Sequence, residues 1–236
     1  MQKGTLFLIP VPLAENAAHK SFTDFLGETI NVLTTYIVEN EKSARKFLKE
    51  AGIKTAQQDL VIHDYGKHKR NDSMVPYFKE LMTGKDVGFM SEAGCPGIAD
   101  PGADIVSEAH KRGIKVVPLV GPSSILLALM ASGFNGQSFT FNGYLPIDKG
   151  EKKAALKNFE KLSQEKSQSQ LFIETPFRNN KLLDDVLNAL QPSTHVCIAC
   201  DITLPTELIK TKTVAQWKKE VPDLHNRPTI FIVHRF

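Results

Sequence analysis

DVGFMSEAGCPGIADPG, residues 86–102, runs from an apolar stretch into a loop of small residues and prolines. The stretch at 86–90 is apolar on both faces of an extended chain, which suits a strand of a parallel sheet covered by helices on two sides. The twelve residues that follow, 91–102, carry three glycines and two prolines, and residues 103–112 then place apolar groups three and four apart, the period of a helix. Strand, loop and helix in this order form part of a βαβ unit. Small residues let a ligand approach the backbone, and prolines hold a loop open without donating N–H groups to a ladder. A loop of this length inside a compact domain usually has a function, so 91–102 is a candidate binding surface.

The same alternation extends along the chain in both directions. Further strands are expected at 5–11, 35–38, 115–119, 138–141, 170–174, 195–200 and 229–234, and further helices at 43–51, 75–83, 123–132, 149–163 and 179–190. Ser73 stands where a cap would open the helix at 75–83. Gly52, Gly84 and Gly113 each stand just past a helix end, where a left-handed residue is wanted. The expected fold is α/β, two domains with mostly parallel sheets. The boundary is placed before the lysine-rich segment that starts at Lys149, giving domains of 1–143 and 144–236. Acids are interleaved with the lysines of residues 149–166, so that segment reads as a solvated face. No internal repeat argues for a solenoid.

Composition agrees. The chain has 236 residues and 26.2 kDa, 42% hydrophobic and 23% charged, as in a soluble globular protein. No apolar run approaches the roughly 20 residues of a membrane span. The first residues contain a short apolar run broken by two prolines, unlike a signal peptide, and three cysteines are too few for a disulfide framework, so a cytoplasmic location is expected. A net charge of +3 permits an anionic partner without demanding one.

Open parallel sheets bind ligands at the carboxyl ends of their strands, which directs attention to four strand-to-helix turns. These are 10–14 (PVPLA), 91–102, 121–124 (GPSS) and 174–178 (ETPFR). The first lacks G-x-G-x-x-G, and no P-loop occurs, so neither a nicotinamide site nor a nucleotide triphosphate site is supported. The hydroxyls of the third can cap a helix or hold a ligand. The Cys197-x-x-Cys200 spacing, on a strand, points the two thiols to opposite faces and suits structural cysteines better than a redox pair. His63, Asp64 and His68 lack the spacing of a metal motif, and no G-x-S-x-G elbow exists.

Taken together, GTLFLIPVPLAEN, VENEKSARKFL, SEAGCPGIADPGADIV, VVPLVGPSSILLALMASG, FNGYLP, LFIETPFR and RPTIFIVHR come in the order and at about the spacing of the tetrapyrrole methylase superfamily. Within it the chain resembles the branch of ribosomal RNA small subunit methyltransferase I, over nearly its whole length. The resemblance implies a two-domain α/β homodimer, a cleft between the domains that binds S-adenosylmethionine, and no metal. It assigns cofactor contacts to Pro12, Leu13, Ala93, Gly94, Cys95, Ile98, Ser123, Ser124, Glu174 and Thr175, with a fainter match at 199–202. These fall on the four turns already singled out.

Methyl transfer is an in-line displacement at an already activated methyl group, so a pocket for it contributes mainly positioning. A base helps when the acceptor is a weakly acidic hydroxyl, such as the ribose 2′-hydroxyl of a cytidine in small-subunit RNA that the resemblance implies. Glu39, His63 and Asp201, each at or just after a strand, are the catalytic candidates. Where the ribosomal branch carries A-E-D-T-R-x-T-R-K, this chain has VENEKSARK, keeping Glu39, Arg45 and Lys46. Where the branch has A-R-E-L-T-K, it has ACDITL. Methylation of a tetrapyrrole or other small molecule, a non-catalytic RNA-binding relative, and an unrelated small-ligand binder are the alternatives.

Overall fold

The computed structural model describes residues 2–15, 17–66 and 74–236, which form two compact units, Met1–Ser123 and Ser124–Phe236. Ser73 and His68 lie outside the described residues.

The first unit contains β1 (Thr5–Leu8), α1 (Asp24–Val32), β2 (Thr35–Val38), α2 (Glu41–Glu50), β3 (Val61–Asp64), α3 (Val75–Met82), β4 (Val87–Met90), α4 (Gly102–Lys111) and β5 (Lys115–Pro118). Its strands are all parallel, in the order β3-β2-β4-β1-β5. The chain moves from β1 to β2 and β3 in one direction, then back to β4 and β5. Right-handed crossovers therefore place α1 and α2 on one face and α3 and α4 on the other. The apolar faces agree: Leu26, Ile30, Phe47 and Leu48 join one core cluster, and Tyr77, Phe78, Leu81 and Ile105 join another. The connections leaving the neighbouring strands β1 and β4 run in opposite directions, so their carboxyl ends flank the topological switch point.

The second unit contains α5 (Ser124–Ser132), β6 (Phe139–Tyr144), α6 (Lys149–Lys166), β7 (Ser169–Ile173), α7 (Asn179–Ala189), β8 (His195–Cys200), β9 (Leu208–Thr213), α8 (Val214–Trp217) and β10 (Thr229–His234). The strand order is β6-β7-β10-β8-β9. Only β6 and β7, joined through α6, run parallel; the other three pairs are antiparallel. One apolar cluster holds this unit together, with Leu156 of α6, Leu182, Leu183 and Val186 of α7 and Trp217 of α8 against Phe172 and Phe231. The helix α5 packs on β8, β9 and β10.

The expected α/β organisation in two domains is present. All the expected strands and helices exist, within a few residues at their ends, and Gly52, Gly84 and Gly113 do close helices at φ +76°, +94° and +61°. Four elements were not expected: α1, β3, β9 and α8. The mostly parallel sheets expected are met by the first sheet, which is wholly parallel, while the second has one parallel pair among four. Runs such as HVCIAC and TIFIVH are buried along almost their whole length, and a doubly covered antiparallel strand reads the same as a parallel one. The units part at Ser123/Ser124, earlier than residue 143, because β6 hydrogen-bonds to β7 and α5 packs on the same sheet. Cys197 and Cys200 are free and buried on opposite faces, only Cys200 joining the main cluster, and burial pushes the Cys197 thiol up to about 11. Among the described residues no helix is long and apolar enough to cross a membrane.

Candidate functional site

The turn after β1 and the loop after β4 are tied together. Val11 and Gly94 form an antiparallel bridge, with Val11 N donating to Gly94 O at 2.9 Å and Gly94 N donating to Val11 O at 2.8 Å. Gly94 has φ +73°, a conformation that an L side chain adopts with strain. A Cβ placed on it would stand 3.5 Å from Leu13 Cδ2 and 3.6 Å from Pro122 O. The turn after β5 closes the arrangement from the other side. A Cβ on Gly121 would come within 2.1 Å of Pro10 Cβ, so only glycine lets these two turns touch. Cys95 Sγ lies 3.3 Å from Pro122 O and 3.7 Å from Gly121 O, and burial, helped by Asp100, raises the pKa of its thiol.

Three of the four turns found in the sequence thus converge within the first unit. Pro12, Leu13 and Cys95 are half-buried, Gly94 is buried, Ala93 is exposed and Ile98 is 54% exposed. Ser123 is half-buried at the end of that unit, and Ser124 opens α5.

The loop 91–102 is held by its own side chains. Asp100 Oδ1 accepts from Gly97 N at 2.8 Å and from Gly102 N at 2.7 Å, so one carboxylate oxygen clamps the loop where α4 begins. Gly102 is pressed against Phe89, 2.4 Å from where its Cβ would sit. Ala99, between them, is held at φ +61°. At the other end, Glu39 Oε2 accepts from Glu92 N at 3.3 Å, and Glu39 N donates to Met90 O. Glu39 is half-buried, and α2 begins right after it, capped by Asn40, whose Oδ1 accepts from Ser43 N.

The other two catalytic candidates lie on β3 and just after β8. His63 lies on β3, at the sheet edge, with its ring edge-on to Tyr77 of α3 at 5.9 Å. Its Nε2 is buried and has no hydrogen-bond partner among the described residues, and burial, partly offset by Glu80, lowers its pKa. It serves the α3 face of the sheet. Asp201, after β8, is buried at φ +52°, and its Oδ2 accepts from Arg227 Nε and from Thr206 Oγ1, each at 2.8 Å. Arg227 also donates to Asp223 O and Thr206 O. The Asp201 carboxylate therefore clasps the chain after β8 to the chain before β10.

At the carboxyl end of β7, Glu174 Oε1 accepts from Thr175 N at 2.8 Å and from Thr175 Oγ1 at 3.2 Å, and Arg178 pairs with it at 3.7 Å. The turn 174–178 is also tied to the chain before β10, Asn226 N donating to Pro176 O at 3.1 Å. In the segment aligned with the basic run of the ribosomal branch, Arg45 pairs with Glu41 and donates to Gln57 O, and Lys46 pairs with Glu15 at 2.7 Å.

Sequence inspection missed Pro10 and Gly121 as the contact joining two turns, and Asp100 as the clamp. Asp100 had a signal, since an aspartate just before a helix start is a frequent cap. The bridge from Val11 to Gly94 had none.

The profile of the Tetrapyrrole (Corrin/Porphyrin) Methylases matches residues 13–217. The chain belongs to the tetrapyrrole methylase family. It is accordingly a methyltransferase, and the match takes in most of the turns that form the site. Over 237 residues the chain is 28% identical to the "Ribosomal RNA small subunit methyltransferase I" of Vibrio cholerae, covering 98% of this chain and 77% of that protein. It is 29% identical over 221 residues to the protein of the same name from Halalkalibacterium halodurans, covering 92% and 72%. Among solved structures, the methyltransferase CobJ superposes with a TM-score of 0.63 at 16% identity, covering 98% of this chain and 94% of that one. The uroporphyrin III C-methyl transferase from Thermus thermophilus gives 0.59 at 14% identity, covering 98% of both. At those identities the two structures establish a shared fold.

Proposed function

We propose that this tetrapyrrole methylase transfers the methyl group of S-adenosylmethionine to small-subunit ribosomal RNA, at the ribose 2′-hydroxyl of a cytidine. The observation that carries the cofactor assignment is the cradle at Gly94, a position where a side chain would enter the space between Leu13 and the Pro122 carbonyl. Backbone carbonyls and small residues suit a sulfonium cation and an uncharged nucleoside. Pro12, Leu13, Ala93, Gly94, Cys95 and Ile98 are the proposed contacts of the first unit, with Ser123, Ser124, Glu174 and Thr175 as further contacts. S-adenosylmethionine, when bound, supplies a methyl group already activated by positive sulfur. The near full-length similarity to proteins named for ribosomal RNA supports the acceptor.

The protein's share of the chemistry is then placement. The bridged turns fix where the cofactor sits, and a fixed alignment of acceptor and methyl group replaces an encounter in solution. Of the three sequence candidates, Glu39 is the one joined to the binding loop, through Glu92 N. We assign it the task of orienting or deprotonating the acceptor hydroxyl. Asp201 and His63 are assigned structural work, the first in the Arg227 clasp and the second beneath α3.

The test is methyl transfer to small ribosomal subunits that lack the modification, with uroporphyrinogen as a competing acceptor class. Transfer to the RNA is expected. Glu39→Ala should lower the turnover number by about 100-fold, the scale of a lost acid–base group, and leave S-adenosylhomocysteine affinity unchanged. Transfer to the tetrapyrrole alone would replace the acceptor, and full activity of the variant would remove Glu39 from the reaction.

A further inference from the structure

The 18 residues of α6 carry six lysines and three glutamates, a net +3 that equals the formal charge of the entire chain. The rest of the protein is therefore neutral in sum. The acids break this charge less than the sequence suggests. Glu160 is turned inward, where its Oε1 accepts from Gln191 N and from Thr194 Oγ1, and Lys152 is also buried, paired with Asp185 at 3.2 Å. Outside stand Glu151, Glu165, Lys166 and a ridge of Lys149, Lys153, Lys157 and Lys161, all exposed, the ridge lysines each four residues from the next. At 1.5 Å per residue the ridge extends over about 18 Å, with one ammonium about every 6 Å.

Like charges at this spacing destabilise a helix. Among the described residues Lys149, Lys153 and Lys157 form no ion pair, and only Lys161 has an acid within reach, Glu165 at 3.9 Å. This contrasts with Arg45 and Lys46, which occupy the aligned basic run of the ribosomal branch and are both engaged by carboxylates. A row of compact ammonium groups with one ion pair, at Lys161, suits a polyanion with regularly spaced charges, whose counterions are released on binding.

We propose that the Lys149/Lys153/Lys157/Lys161 ridge of α6 is a docking surface for the phosphate backbone of the RNA acceptor, holding it without regard to base sequence. This rests on the RNA reading given under the proposed function. The ridge would position the acceptor strand, leaving base recognition to other residues.

The experiment measures binding of unmodified small-subunit ribosomal RNA, transcribed in vitro, over a series of KCl concentrations, together with methyl transfer. For K149Q/K153Q/K157Q/K161Q the slope of log affinity against log salt should flatten by about 3, and affinity at low salt should fall at least tenfold. Affinity for S-adenosylhomocysteine should not change. Replacement of the four lysines by arginine should restore the slope, and K218Q/K219Q, at exposed lysines elsewhere in the second unit, should leave it as in the wild type. An unchanged slope in the fourfold variant, with methyl transfer to RNA intact, overturns the ridge and leaves the acceptor assignment standing. A ridge-dependent slope without methyl transfer to any RNA supports the ridge and overturns that assignment. A wild-type protein that neither binds nor methylates RNA overturns both. Displacement of the RNA by polyglutamate at equal charge concentration overturns the ridge as an RNA surface and reassigns it to acidic protein.

Discussion

His63 shows how neighbours set the protonation of a strand residue. It sits on an edge strand, against Tyr77, with a buried Nε2, and burial lowers its pKa. As pH falls, the unfolded chain takes up a proton here near 6.5, before the folded protein does. Stability from this site is therefore full above about pH 6.5 and declines as pH falls toward the lowered folded value. Thermal unfolding followed at pH 7.5 and pH 5.5 should show a smaller acid-induced loss for His63→Gln than for the wild type. Equal losses would mean that His63 does not couple protonation to folding. At the site itself, Gly94 and Gly121 act through what they lack: a side chain at the first would enter the cradle, and at the second it would collide with Pro10. The sequence marks these positions as glycines in proline-rich turns. That they face Leu13 and Pro10, over 80 and over 100 residues away in the chain, has no local signal.

Among the elements, those with a strong period and clear ends were legible, and those that depend on distant partners were not. The helices α2, α4 and α7 show apolar residues three and four apart, and α2 and α4 carry an acid in their first turn. By contrast β9, LIKTKT, alternates lysine with threonine on an edge of the second sheet, and lysines on an edge guard against pairing with another chain. Its β-character comes from the ladder with β8. The one-turn α8 is too short for periodicity; it is fixed by a capping box of Thr213 and Gln216 and by Trp217, whose Nε1 donates to Val196 O at 2.8 Å. Trp217 fills the core of the second unit at 2% exposure. Trp217→Ala should cost that unit about 3–5 kcal/mol, read as a lower unfolding transition by calorimetry. A change below 1 kcal/mol would mean that the indole is not a structural anchor.

At the scale of the whole molecule, the two units have separate apolar cores, and the chemistry legible in the sequence gathers at the carboxyl ends of the strands. Three of the four turns chosen for their small residues and prolines meet around Gly94, because the chain reverses direction between β1 and β4. The fourth belongs to the second unit. The family resemblance implies a homodimer, and light scattering at micromolar concentration should give about twice 26.2 kDa. A mass near 26.2 kDa would assign the activity to the single chain.

The central claim is that the bridged turns at Val11 and Gly94 form the cofactor cradle. Calorimetric titration with S-adenosylhomocysteine tests it most directly, with Gly94→Trp beside the wild type. The tryptophan would project toward Leu13 and the Pro122 carbonyl, so micromolar binding is expected in the wild type and none in a variant whose unfolding transition shows it to be folded. Equal binding by both proteins, or none by the wild type, would contradict the assignment of this cradle to S-adenosylmethionine.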